Sequence, residues 1–401
     1  MTAAVKAAGT LDVVRLTAEL VRCPSVTPHA AGTFDLLEGW LRPLGFDVER
    51  PVFSETGQPD VENLFAVRRG DGRHLTFAGH TDVVPPGDEA AWTDPPFEAT
   101  IRDGRLYGRG AVDMKGGVAA FVAAAADCIA AKPLDCTVSL LITGDEEGPG
   151  INGTSKLLQW AAERGERFDA AIVGEPSSAA EIGDTIKVGR RGSLTGRLVV
   201  HGTQGHAAYP DRAENPVRGI VTLVSALLDP PLDSGTDRFQ PSNLEVTSID
   251  VGNPTTNVIP ATATADFNVR FNDRWTTESL KAELLRRLEA TATAPTALRP
   301  KSERVRYSVE WRDRPSPCFL TSDEVLIGMA SEAVEHATGR RPSLSTGGGT
   351  SDARFIKDYC PVIEVGVVGT TMHQINENVR VVELEMLQEI YSHMIRSWNA
   401  R

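Results

Sequence analysis

Cysteine is scarce: the 401 residues include five, Cys23, Cys128, Cys136, Cys318 and Cys360. An odd number without metal-type spacing argues against a disulfide framework and a thiolate zinc site, and points to a reducing, cytoplasmic setting. Positive charge is also short, with 41 Lys and Arg against 54 Asp and Glu and a formal net charge of −13. That balance favours solubility and argues against a nucleic-acid or anionic-membrane partner. No apolar run reads as long enough to span a membrane. The N-terminal MTAAVKAAGTLDVV has neither a basic region followed by an apolar core nor a cleavage site, so no signal peptide is expected. Internal repeats and low-complexity tracts are lacking as well.

What is present fits a soluble globular protein, with 41% hydrophobic and 24% charged residues. A chain of 401 residues exceeds one ordinary core, so two domains are the natural reading. Apolar residues at helical spacing predict amphipathic helices over 11–22 and 34–44, followed by short strands over 63–68 and 74–78. Residues 93–107 read as irregular loop and short hairpin. An alanine-rich helix ends near residue 131, before strand 138–142, helix 156–163 and strand 169–173. Such strand–helix–strand alternation points to a parallel, helix-covered sheet. From about residue 192 the texture changes. Strand 194–201, helix 215–228, strands 244–250 and 264–271, helix 277–288 and strand 305–311 give the βαββαβ order of a ferredoxin-like arrangement. The α/β pattern resumes with helix 324–338, loop 346–352, strand 362–367 and a terminal helix from Val382. The expected fold class is α/β: a mostly parallel-sheet, three-layer catalytic domain (1–191 and 313–401) with an inserted ferredoxin-like α+β domain (192–312).

The stretch 137–150, TVSLLITGDEEGPG, reads as a buried strand running into Asp145, Glu146 and Glu147. Like charges packed at the end of an apolar strand resist ionising unless something positive compensates. In an open α/β sheet, the carboxyl ends of strands are also where ligands bind. His80, Asp113 and Glu175 lie in comparable places, and His373 sits a few residues beyond a strand. Imidazoles and carboxylates without a thiolate suit Zn²⁺, Co²⁺ or Mn²⁺. Two divalent ions are balanced by three carboxylates and one hydroxide, which leaves one carboxylate over as a base. Metals held about 3.5–4 Å apart can lower the pKa of a shared water and clamp a tetrahedral intermediate. Asp113 would be the natural bridge. The glycines of GRGAVDMKGG fit neither nucleotide motif, because Lys115 precedes the last glycines and the dinucleotide spacing fails.

GHTDVVPPG, GRGAVDMKGG, TGDEEG, VGEPS and MHQINE, with KVGRRGS, HGTQGHAAYP, FQPSN, NVIP and TGGGTSD, resemble the di-zinc aminoacylase/carboxypeptidase-G type metallopeptidase family over about residues 10–398. The resemblance implies a hydrolase with two Zn²⁺, for which Co²⁺ can substitute. It implies that His80 binds one zinc and is oriented by Asp82, and that Asp113, followed by a cis peptide, bridges both. Glu147 and His373 would complete one zinc, and Glu175 with His80 the other. Glu146 would be the general base that takes the water's proton and passes it to the leaving amine.

Within the family, KVGRRGS, FQPSN and TGGGTSD favour members acting on N-succinyl-LL-2,6-diaminopimelate, in lysine and diaminopimelate biosynthesis, over those acting on N-acetylornithine or another N-acyl amino acid. An inactive relative working as a binding protein would be free to lose Glu146 or a ligand, and all are present. The carboxylates of that substrate call for cations and N–H groups. By resemblance these are Arg190, Ser193, Asn257, Arg270 and the amides of Gly349 and Thr350. His206 matches an oxyanion-stabilising position supplied across a dimer interface, so the resemblance implies a homodimer through the inserted domain, which would then serve as a dimerisation and lid domain. One position departs: Gly369, four residues before His373, stands where many such members carry Asn.

Overall fold

The computed structural model describes residues 11–295, 304–312 and 315–400. The chain divides into two compact units, one of 1–188, 321–345 and 351–401, the other of 189–320 and 346–350.

The first unit is built on an eight-stranded sheet among the described residues. At its centre Thr137–Thr143, His74–His80, Ala170–Val173 and Val362–Glu364 lie side by side and parallel. The first three are buried along their whole length, as strands covered on both faces must be, and they read as near-continuous apolar runs. Parallel alignment brings their carboxyl ends to one edge. There the chain turns into Thr81-Asp82, Asp145-Glu146-Glu147 and Gly174-Glu175. The sheet is mixed toward its borders. Leu64–Arg68 and Asp47–Glu49 add antiparallel on one side, and Thr185–Lys187 pairs antiparallel with Val362–Glu364 before Ser343–Ser345 closes the other side in parallel.

Helix Gly116–Ala131 corrects one sequence expectation. With the turn before it, the segment Ala111–Ala131 is long and apolar enough to cross a membrane, yet most of it is buried inside the protein. Its small side chains serve close packing: a Cβ on Gly117 would come within 2.4 Å of the Gly174 carbonyl oxygen, just before Glu175. Phe121 of this helix stacks on Phe77 at 4.4 Å between ring centroids, and Tyr391 of helix Val381–Asn399 meets both rings edge-on. Such aromatic pairs contribute about 0.5–1.5 kcal/mol beyond their burial. They form a stiff floor beneath Gly174, since a Cβ there would meet Phe77 at 2.5 Å.

The second unit has a four-stranded antiparallel sheet in the order Asn243–Asp250, Thr262–Phe271, Gly192–His201, Arg306–Trp311. Helices Pro216–Leu228 and Thr277–Thr293 complete the βαββαβ order, and Ile220, Leu223, Leu280, Leu284 and Leu288 join the sheet's inner residues in one core. The alternation of buried and part-exposed residues along Gly192–His201 is the period-2 signal on which the sequence reading rested.

Candidate metal centre

Five donor side chains converge at the carboxyl edge of the first unit's sheet. His80 ends its strand and is buried; its Nε2 lies 3.2 Å from Asp113 Oδ1 and 3.5 Å from Glu175 Oε1. His373, on an exposed turn with φ of 62°, points Nε2 at Asp113 Oδ2 (3.2 Å) and Glu147 Oε1 (2.8 Å). Asp113 therefore turns one carboxylate oxygen to each imidazole. Glu146 Oε2 stands further off, 3.9 Å from His80 Nε2.

The tautomer of His80 is set by its other nitrogen. Nδ1 lies 2.9 Å from the backbone carbonyl of Asp82, which can only accept, so Nδ1 carries a proton and Nε2 is the nitrogen left to face the donor cluster. The Asp82 carboxylate has a different task from the one expected of it. It lies 3.7 Å from Nδ1 and instead accepts the N–H groups of Glu146 (3.2 Å) and Glu147 (3.0 Å). Residue 82 thus orients His80 by its carbonyl and the two glutamates by its side chain. Burial pushes its carboxyl up to about 6.

Asp113 sits on non-helical backbone (φ −121°, ψ 97°) between Ala111 and the helix at Gly116, and its peptide to Met114 is cis. Glu377 takes up the amides stranded by that geometry: its Oε1 accepts from Gly110 (3.1 Å), Val112 (2.9 Å) and Asp113 (3.3 Å). Arg109 Nη1 donates to its Oε2 at 2.7 Å. Asp145 shapes the neighbouring turn by accepting from Ile151 (2.8 Å) and Asn152 (2.9 Å). Sequence reasoning missed Arg109 and Glu377. A Glu inside MHQINE looks like an exposed loop residue, and nothing local signals that it is wholly buried.

The electrostatics fit divalent cations. Burial, then the charge of Glu175, pushes Glu146 well above the usual carboxylate range, and burial with the charge of Asp113 pushes Glu175 up to about 7. Hydrogen bonds to Asp113 and Glu147 raise His373 to about 10. Burial opposes a charge on His80, but its bonds to Asp113 and Glu175 outweigh it and raise the pKa well above normal. Protons are thus held where carboxylates crowd, and a bound cation takes the place of such protons. Spacing agrees as well. Ligands about 2.0–2.2 Å from a tetrahedral ion lie about 3.3 Å from each other, close to the donor separations around His80 and His373. Oxygen and imidazole donors without sulfur suit zinc or cobalt.

The remaining candidates lie in the second unit and are described within it. Arg190 is buried and donates to the Gly347 carbonyl at 3.2 Å, beside the exposed Gly349 and half-buried Thr350. Ser193 and Arg270 are cross-strand partners, Ser193 Oγ accepting from Asn268 at 3.1 Å. Burial, with Arg191 nearby, lowers the Arg270 pKa. Exposed His206 lies on a two-residue strand paired with Val258–Ile259, and its neighbour Ala207 donates to the Asn257 carbonyl at 2.9 Å.

Residues 76–397 match the family described as peptidase family M20/M25/M40, and the chain belongs to it. The fold is similar to that of an M20 family metallo-carboxypeptidase from Sulfolobus solfataricus, at 16% identity and a TM-score of 0.76, over 98% of this chain and 100% of that one. A tripeptidase from Staphylococcus aureus matches at 19% identity and a TM-score of 0.76, over 97% of this chain and 98% of the other. A dinuclear metal binding peptidase of the M20 family from Bacillus subtilis matches at 16% identity and 0.68, over 96% of each chain. The family and the donor cluster together define a metal-dependent hydrolase.

Proposed function

We propose that the protein is a succinyl-diaminopimelate desuccinylase, an amidohydrolase that cleaves N-succinyl-LL-2,6-diaminopimelate to succinate and LL-2,6-diaminopimelate. The observation that carries the reaction class is the convergence of His80, Asp113, Glu147, Glu175 and His373; Glu146 also groups with His80 and Glu147, but at 3.9 Å from His80 Nε2 it stands further off than the other donors. The substrate rests on KVGRRGS, FQPSN and TGGGTSD.

Two divalent cations, zinc or cobalt, would be held by those five residues and would supply Lewis-acid polarisation of the amide carbonyl and an acidified water. Glu146 takes the proton from the attacking water as its oxygen bonds to the amide carbon. It then delivers that proton to the nitrogen as the C–N bond breaks. Asp82 holds the Glu146 amide and so aims the base. In the second unit, Arg190, Ser193, Asn257, Arg270 and the amides of Gly349 and Thr350 receive the substrate's carboxylates, and His206 stabilises the oxyanion of a partner subunit's site.

A homodimer through the second unit is supported by its edge strand Asn243–Asp250, whose outer side has no sheet neighbour among the described residues, and by exposed Ile249, Val221 and Leu228. The chain's five free cysteines support a reducing, cytoplasmic location.

A second reading, an acetylornithine deacetylase or another N-acyl amino-acid hydrolase, is kept because Gly369, where many desuccinylases carry Asn, removes a side-chain donor from the substrate contact. Zinc-loaded protein assayed on N-succinyl-LL-2,6-diaminopimelate and N-acetylornithine side by side separates the two. The desuccinylase reading expects strong preference for the succinyl substrate, abolished by a chelator and restored by zinc. Preference for the acetyl substrate replaces it, and chelator-insensitive activity on either removes the metal from the reaction.

A further inference from the structure

Glu377 and Arg109 form a buried ion pair outside the donor cluster, with side chains 0% and 3% exposed. Glu377 Oε1 takes three amide N–H groups from the segment that presents Asp113. Those amides lie before the helix that starts at Gly116 and have no helical carbonyl to bond, so a buried acceptor must take them. Arg109 reaches the other way: Nη2 donates to the His373 carbonyl at 3.4 Å, and the guanidinium packs 5.3 Å from the Trp92 ring centroid. The Glu377 carbonyl in turn accepts from Gly108 (2.9 Å), and the Pro96 carbonyl accepts from the Arg109 amide (2.8 Å). One carboxylate–guanidinium pair therefore joins the two segments whose side chains face each other as Asp113 Oδ2 and His373 Nε2. The side chains of this pair bond the Asp113 and His373 segments and not that of Glu175.

We infer that the Arg109–Glu377 pair is a positioning device for one half of the metal centre, setting the separation of Asp113 and His373 and hence the affinity of the site they share with Glu147. Neither residue is among the donor side chains. Both act through the backbone that carries the ligands. The inference rests on the proposed metal centre and predicts an asymmetry that the centre alone does not. Weakening the pair loosens the His373 half more than the His80 half: both share Asp113, but only the His373 carbonyl is held by Arg109, whereas His80 is oriented by the Asp82 carbonyl.

The test is a titration of metal-free protein with Co²⁺, followed by calorimetry and visible absorption, for the wild type, Glu377→Gln and Arg109→Lys. Wild type takes up two equivalents; fewer than two would overturn the metal centre itself, before any variant is compared. Glu377→Gln keeps an acceptor for the amides but loses the ion pair. It is expected to weaken one equivalent about 10–100-fold, as removal of ligand-orienting partners does elsewhere, and the other by clearly less. Arg109→Lys, which keeps the charge but not the fork that spans Glu377 and the His373 carbonyl, weakens the same step by less. If Glu377→Gln does not fold, Arg109→Lys still reads that step. Two equivalents bound by both variants as in the wild type would overturn the inference. So would equal weakening of both steps with a lowered melting temperature of the metal-free protein, the signature of general packing.

Discussion

At the scale of single residues, Glu146 and Glu147 show how neighbours in sequence take different work. Both amides are held by Asp82, but Glu147 Oε1 is 2.8 Å from His373 Nε2 while Glu146 comes no closer than 3.9 Å to His80 Nε2. Glu146→Gln removes a base and leaves the five donors intact. Its turnover is expected to fall by about 10²–10⁴-fold, the usual worth of general-base catalysis, with both metal equivalents retained by elemental analysis. Loss of metal along with activity would make Glu146 a ligand. Gly369 is a second case. A Cβ built there meets only ordinary contacts, Pro176 Cβ at 3.5 Å and Pro176 O at 3.6 Å. Gly369→Asn should therefore fold normally. On the proposed desuccinylase reading, the added amide donor is expected to lower KM for N-succinyl-LL-2,6-diaminopimelate by about tenfold or more, since a hydrogen bond to a charged group contributes about 1.5–3 kcal/mol. An unchanged KM would remove this position from substrate contact.

At the scale of elements, the strand ends of the first unit and the turn geometry of the second are set by carboxylate acceptors. Asp233 is the clearest example outside the metal centre. It accepts from Gly235 (2.8 Å), Ser242 (3.1 Å), Asn272 (2.7 Å) and the Trp275 indole (2.8 Å), pinning the loop after helix Pro216–Leu228. Burial opposes its charge, but these donors outweigh that and bring its pKa down to about 2. A depressed carboxylate stabilises the fold above its unfolded pKa, about 4, and that contribution is lost as the pH falls toward 2. After solvent screening the contribution is about 1 kcal/mol. Asp233→Asn should be less stable in urea by about that amount at neutral pH, and its stability should fall less steeply than the wild type's between pH 4 and 2. Parallel curves for the two proteins would discount the acceptor role.

Elements were also the scale at which local pattern served best. Helical spacing found Glu324–Thr338 without error at either end, and period-2 alternation found the antiparallel strands of the second unit. Pattern failed where the segment is two or three residues long. Thr185–Lys187, Ser343–Ser345 and Asn378–Arg380 owe their extended form to a sheet neighbour, and so few residues carry no period. Pattern also found the alanine-rich helix but understated its length and apolarity, and pattern alone does not tell burial in a core from burial in lipid, which select the same side chains.

At the scale of the whole molecule, the proposed dimer makes each active site composite, with Glu146 from one subunit and His206 from the other. His206→Ala alone should lose about 10²–10³ in turnover, the cost of one oxyanion donor. Mixing and reassembling that variant with Glu146→Gln offers a sharper test. Half the resulting dimers would be mixed, each with one intact site, so activity should recover to about a quarter of the wild type's. No recovery, with mixed dimers present by native mass spectrometry, would place His206 and Glu146 in separate roles within one subunit.

Sequence by itself determined the chemistry of the donors. Histidines and carboxylates recur at predicted strand ends, and the parallel βαβ pattern alone implies that such ends share one edge. Tertiary structure decided which oxygen faces which imidazole. Asp113 divides its two oxygens between His80 and His373 because its backbone leaves the helical path, and that path is held by Glu377, 264 residues away along the chain. A charge buried by remote segments leaves no periodicity to read, so its partner becomes visible only when the chain has folded around it.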